Sequence, residues 1–156
     1  FPTRRSSDLK IGARLGGASV EDADRLYDFG MHIGVAFQLK DDLLDVYGNA
    51  KVFGKNIGGD ILCNKKTYML IKALEHANAD QHNQLNSWIN AETFQPAEKI
   101  AAVTELYDRI GVKAVCENKI LEYSNRAMES LAAVSIAEEK KEELKKIIEN
   151  LIHREV

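Results

Sequence analysis

Asp41, Asp42 and Asp45, followed by Lys51, Lys55, Lys65 and Lys66, crowd the stretch FQLKDDLLDVYGNAKVFGKNIGGDILCNKKTY from Phe37 to Tyr68. On a helix the three aspartates stand at i, i+1 and i+4, so their carboxylates share an arc of about 100°. Two carboxylates about 5 Å apart repel by roughly 3 kcal/mol at an effective dielectric of about 20. A partly buried trio therefore calls for positive charge. Clustered hard oxygen donors suit Mg²⁺, which keeps several waters and joins one or two carboxylates to a substrate's phosphates. The lysines, spaced by Gly48, Gly54, Gly58 and Gly59, offer the other side of such a phosphate. Carboxylate, metal, diphosphate and lysine would alternate in one charge stack.

The element that positions the aspartates is a long helix. Ser19 offers an N-cap with Asp22 at N3, and the helix can run to Tyr47, with Gly48 as its stop. Gln38, Gly34 and Gly30 fall on the aspartate face, while Phe37, Leu39, Leu43, Leu44, Val35 and Val46 take the flanks. A helix apolar nearly all round is buried, and its polar stripe should face a cavity. A solvated acidic patch would lack that apolar surround. Asn64 is read as the cap of the next helix, which puts Lys65 and Lys66 in its first turn. Cations there oppose the helix dipole, an arrangement that makes sense if an anion binds at that end.

These residues carry a resemblance. FQLKDDLLDVYG, then FGKNIGGD, then NKKTY resemble the second aspartate-rich motif and adjoining lysine loop of the trans-type polyprenyl (isoprenyl) diphosphate synthases, closely from residue 10 to about 78. A DDxxD alone would be weak evidence. Gln38 before it and the GK, GD and KT steps after it make the match specific. The resemblance implies an all-α, isoprenoid-synthase-like helical bundle. It also implies Mg²⁺-dependent, head-to-tail condensation of an allylic diphosphate with isopentenyl diphosphate. Asp41 matches the principal metal ligand, with Asp42 and Asp45 supporting it as ligands or water holders. Lys55 and Lys65 match the lysines that grip the allylic diphosphate, and Gln38 matches a polar residue beside it. Asp60 matches an acidic residue that orients the lysine loop, and Phe37 a wall residue near the reacting carbons. A homodimer is implied for the full-length protein.

The rest of the chain agrees with a helical domain. Its 156 residues are 45% hydrophobic with a formal charge of −3, enough for one core and without the basic, aromatic-laced surface of a nucleic-acid binder. Cys63 and Cys116 are isolated, as reduced cytosolic thiols are, which points to the cytoplasm. His32, His76, His82 and His153 have no metal-ligand spacing. No uncharged apolar run approaches the length of a membrane span. Downstream helices are expected over Asp80–Ile89, from Pro96 to Ile110, from Val112 with Val115, Ile120, Leu121, Met128 and Leu131 inward, and from about Ala137. The EEKKEE run of the last is expected to be a solvated face.

Residues 1–9, FPTRRSSDL, abut a helical pattern that begins mid-stride at Lys10. They replace the lysine-threonine motif expected there from the resemblance, and are read as a junction of sequence assembly or a disordered natural start. The prenyl synthase domain is then residues 10–156. No second DDxxD or DDx4D occurs, so the chain is read as the carboxy-terminal, amino-terminally truncated half of such a synthase. Two alternatives remain: a non-catalytic helical subunit that pairs with a complete synthase, and another diphosphate-ionising enzyme of the same fold.

Overall fold

The computed structural model describes residues 4–48 and 57–153. Every regular element among them is helical: α1 Arg4–Leu15, α2 Val20–Tyr47, α3 Gly59–Leu62, α4 Tyr68–His76, α5 Ala79–Ile89, α6 Pro96–Ile110, α7 Val112–Ala132, a 3₁₀ turn Glu138–Lys140, and α8 Glu142–His153. Helix α1 begins at Arg4 and continues through Lys10 without a break. Among the described residues the chain packs as two compact units, one of residues 4–40 with 119–153, the other within Asp41–Asn118. Helices α2 and α7 each contribute to both.

In the first unit the core is Phe29, Ala127, Leu131 and Ile148, with Leu9, Leu26, Ile33, Leu144 and Ile152 packed around them. Helix α2 starts as its sequence predicts, the backbone N–H of Asp22 donating to Ser19 Oγ at 3.0 Å. The Asp22 carboxylate also accepts from the backbone N–H of Ser135 at 2.9 Å and from Arg25. Those bonds, Ser135 first, hold its pKa below the usual carboxylate range. Gly30 is needed where α1 crosses α2: a Cβ there would lie 2.8 Å from Leu9 and 3.0 Å from the Ser6 backbone. Gly30 and Gly34, with Leu9, Leu26, Phe37 and Ile147, line an apolar recess of about 650 Å³. The cavity expected beside the glycine stripe is therefore present along Gly30 and Gly34.

Helix α7 corrects one expectation. Leu121 and Met128 are exposed, 44% and 37%, and the inward face is Val112, Cys116, Ile120, Ser124, Ala127 and Leu131. This i, i+4 track carries small residues, which let neighbouring helices approach closely, and so places the bulkier Leu121 and Met128 outside. The EEKKEE run is a second correction. Lys141 is buried, its ammonium donating to the carbonyl of Ala132 at 2.9 Å and to Glu138 at 2.8 Å. The run therefore closes the α7–α8 corner as well as facing water.

In the second unit α6 is the hub against which α3, α4 and α5 pack. Pro96 opens it and Gly111, at φ 81°, closes it. Val103, Leu106 and Tyr107 are buried as the apolar periodicity predicts, together with Leu85, Met69 and Leu70. Helix α5 carries a full capping box between Asn78 and Gln81. Helix α4 is capped by Thr67, whose Oγ1 accepts from the N–H of Leu70 at 3.2 Å. This corrects the reading of Asn64 as the cap. Lys65 and Lys66 precede the helix instead of filling its first turn, so the argument from its dipole lapses.

Candidate functional site

The aspartates hang on the last turns of α2, where Leu43, Leu44 and Val46 are buried in the second unit. Asp42 is only 7% exposed, while Asp41 and Asp45 are half-buried. Tyr47 fixes the helix end, its hydroxyl donating to Asp108 at 2.7 Å with the Lys113 ammonium 4.9 Å from its ring. Burial, and then the Asp108 carboxylate, push the Tyr47 phenol well above its ordinary pKa.

The chain returns to the aspartates at Gly58. Its N–H donates to the backbone carbonyl of Asp45 at 2.6 Å. Gly58 sits at φ 86°, and a Cβ on it would come within 2.6 Å of Ile100, so both backbone angle and space require glycine. The N–H of Asp60 then donates to Asp45 Oδ2 at 2.8 Å. Burial, and after it the neighbouring Asp60 charge, raise the Asp45 pKa above the usual carboxylate value even though the bond from the Asp60 N–H works the other way.

Lys65 closes the cluster. Its ammonium lies 2.9 Å from Asp42 Oδ1 and 2.7 Å from Asp60 Oδ2. The hydrogen bond to Asp60, and then the one to Asp42, raise its pKa, so it stays charged at any physiological pH. A cation bridging two carboxylates shows what this cluster accommodates: positive charge presented to hard oxygen donors. The chemistry of the donor set fits Mg²⁺ in that respect. Among the described residues, however, no three His, Cys, Asp or Glu side chains converge on one point. Asp45 is occupied with the turn.

The structure thus gathers Asp42, Asp45, Asp60 and Lys65 into one hydrogen-bonded assembly, with Asp41 adjacent to Asp42 on the same helix. Phe37, 41% exposed, lines the apolar recess of the first unit. Gln38, which follows it, is exposed and does not line that recess. Lys55, with Lys51, lies outside the described residues.

Asn64, read from the sequence as a helix cap, and Lys99, which the sequence reading missed, complete the site. Asn64 is the one described non-glycine residue with positive φ, 51°. Its Nδ2 donates to the carbonyl of Ile89 at 2.9 Å, and its Oδ1 accepts from Lys99 Nζ at 2.8 Å. Lys99 is 1% exposed. Its position i−4 from Val103 on the inner face of α6 was the available signal. Asp60, Asn64, Lys65, Lys99 and Tyr107 all border a cavity of about 20 Å³, room for one water.

Residues 6–107 match the family profile described as polyprenyl synthetase. The chain belongs to the polyprenyl synthetase family. Among its curated relatives in this family, the short chain isoprenyl diphosphate synthase of Methanothermobacter thermautotrophicus is 32% identical over 146 residues, 94% of this chain and 44% of that protein. The geranylgeranyl diphosphate synthase of Methanosarcina mazei is 47% identical over 66 residues, 42% of this chain and 20% of that protein. A crystal structure of a geranylgeranyl pyrophosphate synthase superposes with a TM-score of 0.88 at 32% identity, covering 97% of this chain and 47% of that one. Another, from Corynebacterium glutamicum, complexed with isoprenyl diphosphate and magnesium, gives 0.81 at 31% identity over 92% of this chain and 41% of its own. The expected isoprenoid-synthase-like helical fold is thus found. This polyprenyl synthetase family member spans less than half the length of these relatives, and no helix among its described residues is long and apolar enough to cross a membrane.

Proposed function

We propose that this chain is the diphosphate-holding, carboxy-terminal part of a cytoplasmic polyprenyl diphosphate synthase, one that joins an allylic diphosphate to isopentenyl diphosphate in the full-length, homodimeric protein. One observation carries the reading: Lys65 bridges Asp42 of the DDLLD helix and Asp60 of the glycine turn, at 2.9 and 2.7 Å. The motif that the family resemblance assigns to metal and diphosphate is thus one charge assembly. The magnesium complex of the C. glutamicum relative supports the same cofactor here.

Asp41 and Asp42 are the residues that would hold Mg²⁺, with Asp45 supporting them from the turn. When bound, the ion would supply Lewis-acid stabilisation of the charge that builds on a departing diphosphate. The chain's own groups do the rest. An ammonium has three donors; Lys65 gives two to Asp42 and Asp60 and has one for a phosphate oxygen. Asp45 and Asp60 hold the turn so that Lys65 is already oriented when the substrate arrives, which keeps the donor from reorganising as charge develops. Lys55 would grip the same diphosphate, with Gln38 beside it. Phe37, which the resemblance matches to a wall residue, would shield the allylic carbons from water.

The test is calorimetric titration of pyrophosphate into the chain with and without Mg²⁺, alongside Lys65→Ala. Metal-dependent binding that Lys65→Ala weakens by about tenfold, the value of one charge-assisted hydrogen bond, supports the assignment. Equal binding by both proteins rules it out. The second reading is a non-catalytic helical subunit that pairs with a complete synthase. Product analysis with and without such a synthase separates the two.

A further inference from the structure

A lysine ammonium in a protein interior is costly unless an anion pairs with it, and an apolar residue of similar length commonly packs there with no loss of stability. Lys99 is 1% exposed, yet among the described residues no carboxylate stands within ion-pair distance of it. Its ammonium donates to Asn64 Oδ1 at 2.8 Å and lies 4.2 Å from the centre of the Phe94 ring. Burial lowers its pKa. With no carboxylate to pair with among the described residues, the ammonium's one hydrogen-bond partner there, Asn64 Oδ1, is what it holds.

What it holds is Asn64. That residue adopts φ 51°, the left-handed region that Asn enters more readily than most side-chain-bearing residues and in which its carboxamide bonds can hold it. Both ends of its carboxamide are engaged, Nδ2 by the Ile89 carbonyl at the end of α5 and Oδ1 by Lys99. The next residue is Lys65. Its N–H bonds the Asp60 carbonyl at 2.9 Å while its side chain spans Asp42 and Asp60. The direction in which Lys65 leaves the turn is set by the backbone of Asn64.

We propose that Lys99 is a positioning residue: through the Asn64 carboxamide it locks the left-handed turn from which Lys65 is presented to the aspartates and to a bound diphosphate. Helix α6 thereby controls the site's cation. The diphosphate half of this proposal rests on the function proposed above, whereas the locking of the turn does not.

Two readouts on the 156-residue chain test it. The first uses no ligand: backbone amide hydrogen exchange at Asn64 and Lys65 in Lys99→Met, Lys99→Gln, Asn64→Gly and the Asn64→Gly/Lys99→Met pair. Lys99→Met should quicken exchange at these two amides by about tenfold, leave α5 unchanged, and keep the melting temperature within about 3 °C of the parent. Lys99→Gln, which keeps a donor, should restore most of the protection. In the Asn64→Gly background, where glycine takes φ > 0 unaided, Lys99→Met should add nothing. The second readout is binding of pyrophosphate with Mg²⁺, which Lys99→Met should weaken by about three- to tenfold and Lys99→Gln should recover. Should Lys99→Met fail to fold, Asn64→Ala, which lacks the acceptor, must show the same acceleration.

Unchanged exchange at Asn64 and Lys65, or the same acceleration with and without Asn64, overturns the proposal. Exchange that responds as expected, in a chain whose pyrophosphate binding ignores Lys65→Ala, upholds the lock and removes the diphosphate reading.

Discussion

The carboxylate of Asp45 accepts the backbone N–H of Asp60 at 2.8 Å, which makes the last aspartate of DDLLD the clasp between helix and glycine turn. The three aspartates thereby divide their work: Asp45 orders the turn, Asp42 meets Lys65, and Asp41 is the neighbour that the family resemblance assigns to metal.

Asp41→Asn separates these roles, because Asn is nearly isosteric but lacks the charge that offsets a divalent ion. Helical content should be unchanged, while Mg²⁺-dependent pyrophosphate affinity drops at least about tenfold. In a longer protein that contains the opposing half, turnover should fall by a similar factor or more. Rates within about a factor of two of the parent would remove Asp41 from the metal site.

Lys55→Ala, in the same longer protein, should weaken the allylic substrate more than isopentenyl diphosphate. The loss of one charge-assisted hydrogen bond to phosphate is worth about 1.5 to 3 kcal/mol. Competition binding with both substrates measures it, and equal losses would put the lysine loop on the other side.

The helices were legible because their punctuation is local. Ser19 with Asp22, Pro96 and Gly111 stand where the structure starts and stops its helices. The charged cluster was legible because spacing on one helix fixes which carboxylates share a face. Asn64 was misread since Asn serves equally as an N-cap and as a left-handed turn residue, and only the distant partners Ile89 and Lys99 decide between them. Lys99 escaped because a buried lysine shows in sequence only as an interruption of an apolar stripe, and Lys141 because it lies within the charge run EEKKEE.

Glu138 should govern part of the chain's acid sensitivity. Hydrogen bonds from Lys141, and then Lys145, hold its pKa at about 2 against an ordinary 4.5. A depressed carboxylate pKa stabilises the fold above the unfolded value and loses that contribution as pH falls through the folded one. The urea midpoint of the parent should therefore exceed that of Glu138→Gln by a constant margin above about pH 5 and converge with it toward about pH 2. A margin that persists at pH 2 would assign the effect to packing.

The chain alone, given Mg²⁺, radiolabelled isopentenyl diphosphate and allylic primers of several lengths, should yield no extended prenyl diphosphate. Ionisation needs charge neutralisation on both sides of the leaving group, and the sequence carries one aspartate-rich cluster. Clear turnover would mean that DDLLD suffices.

Gly58→Ala should cost about 2 kcal/mol or more, since it combines backbone strain with a collision. Thermal unfolding should register a drop of at least about 4 °C, and an unchanged melting temperature would show that the turn relaxes freely.

Gly58 also bears on the lineage's history. Shortening Ile100 would clear the space over position 58 but leave the backbone angle of 86°, which disfavours most residues other than glycine, Asn and Asp. Ile100 can drift toward smaller residues at the cost of a partial void, whereas any side chain at Gly58 meets Ile100 as it stands. Change across this contact should be one-directional, with the α6 side varying first and the turn side remaining an anchor by which distant members of the lineage can be aligned.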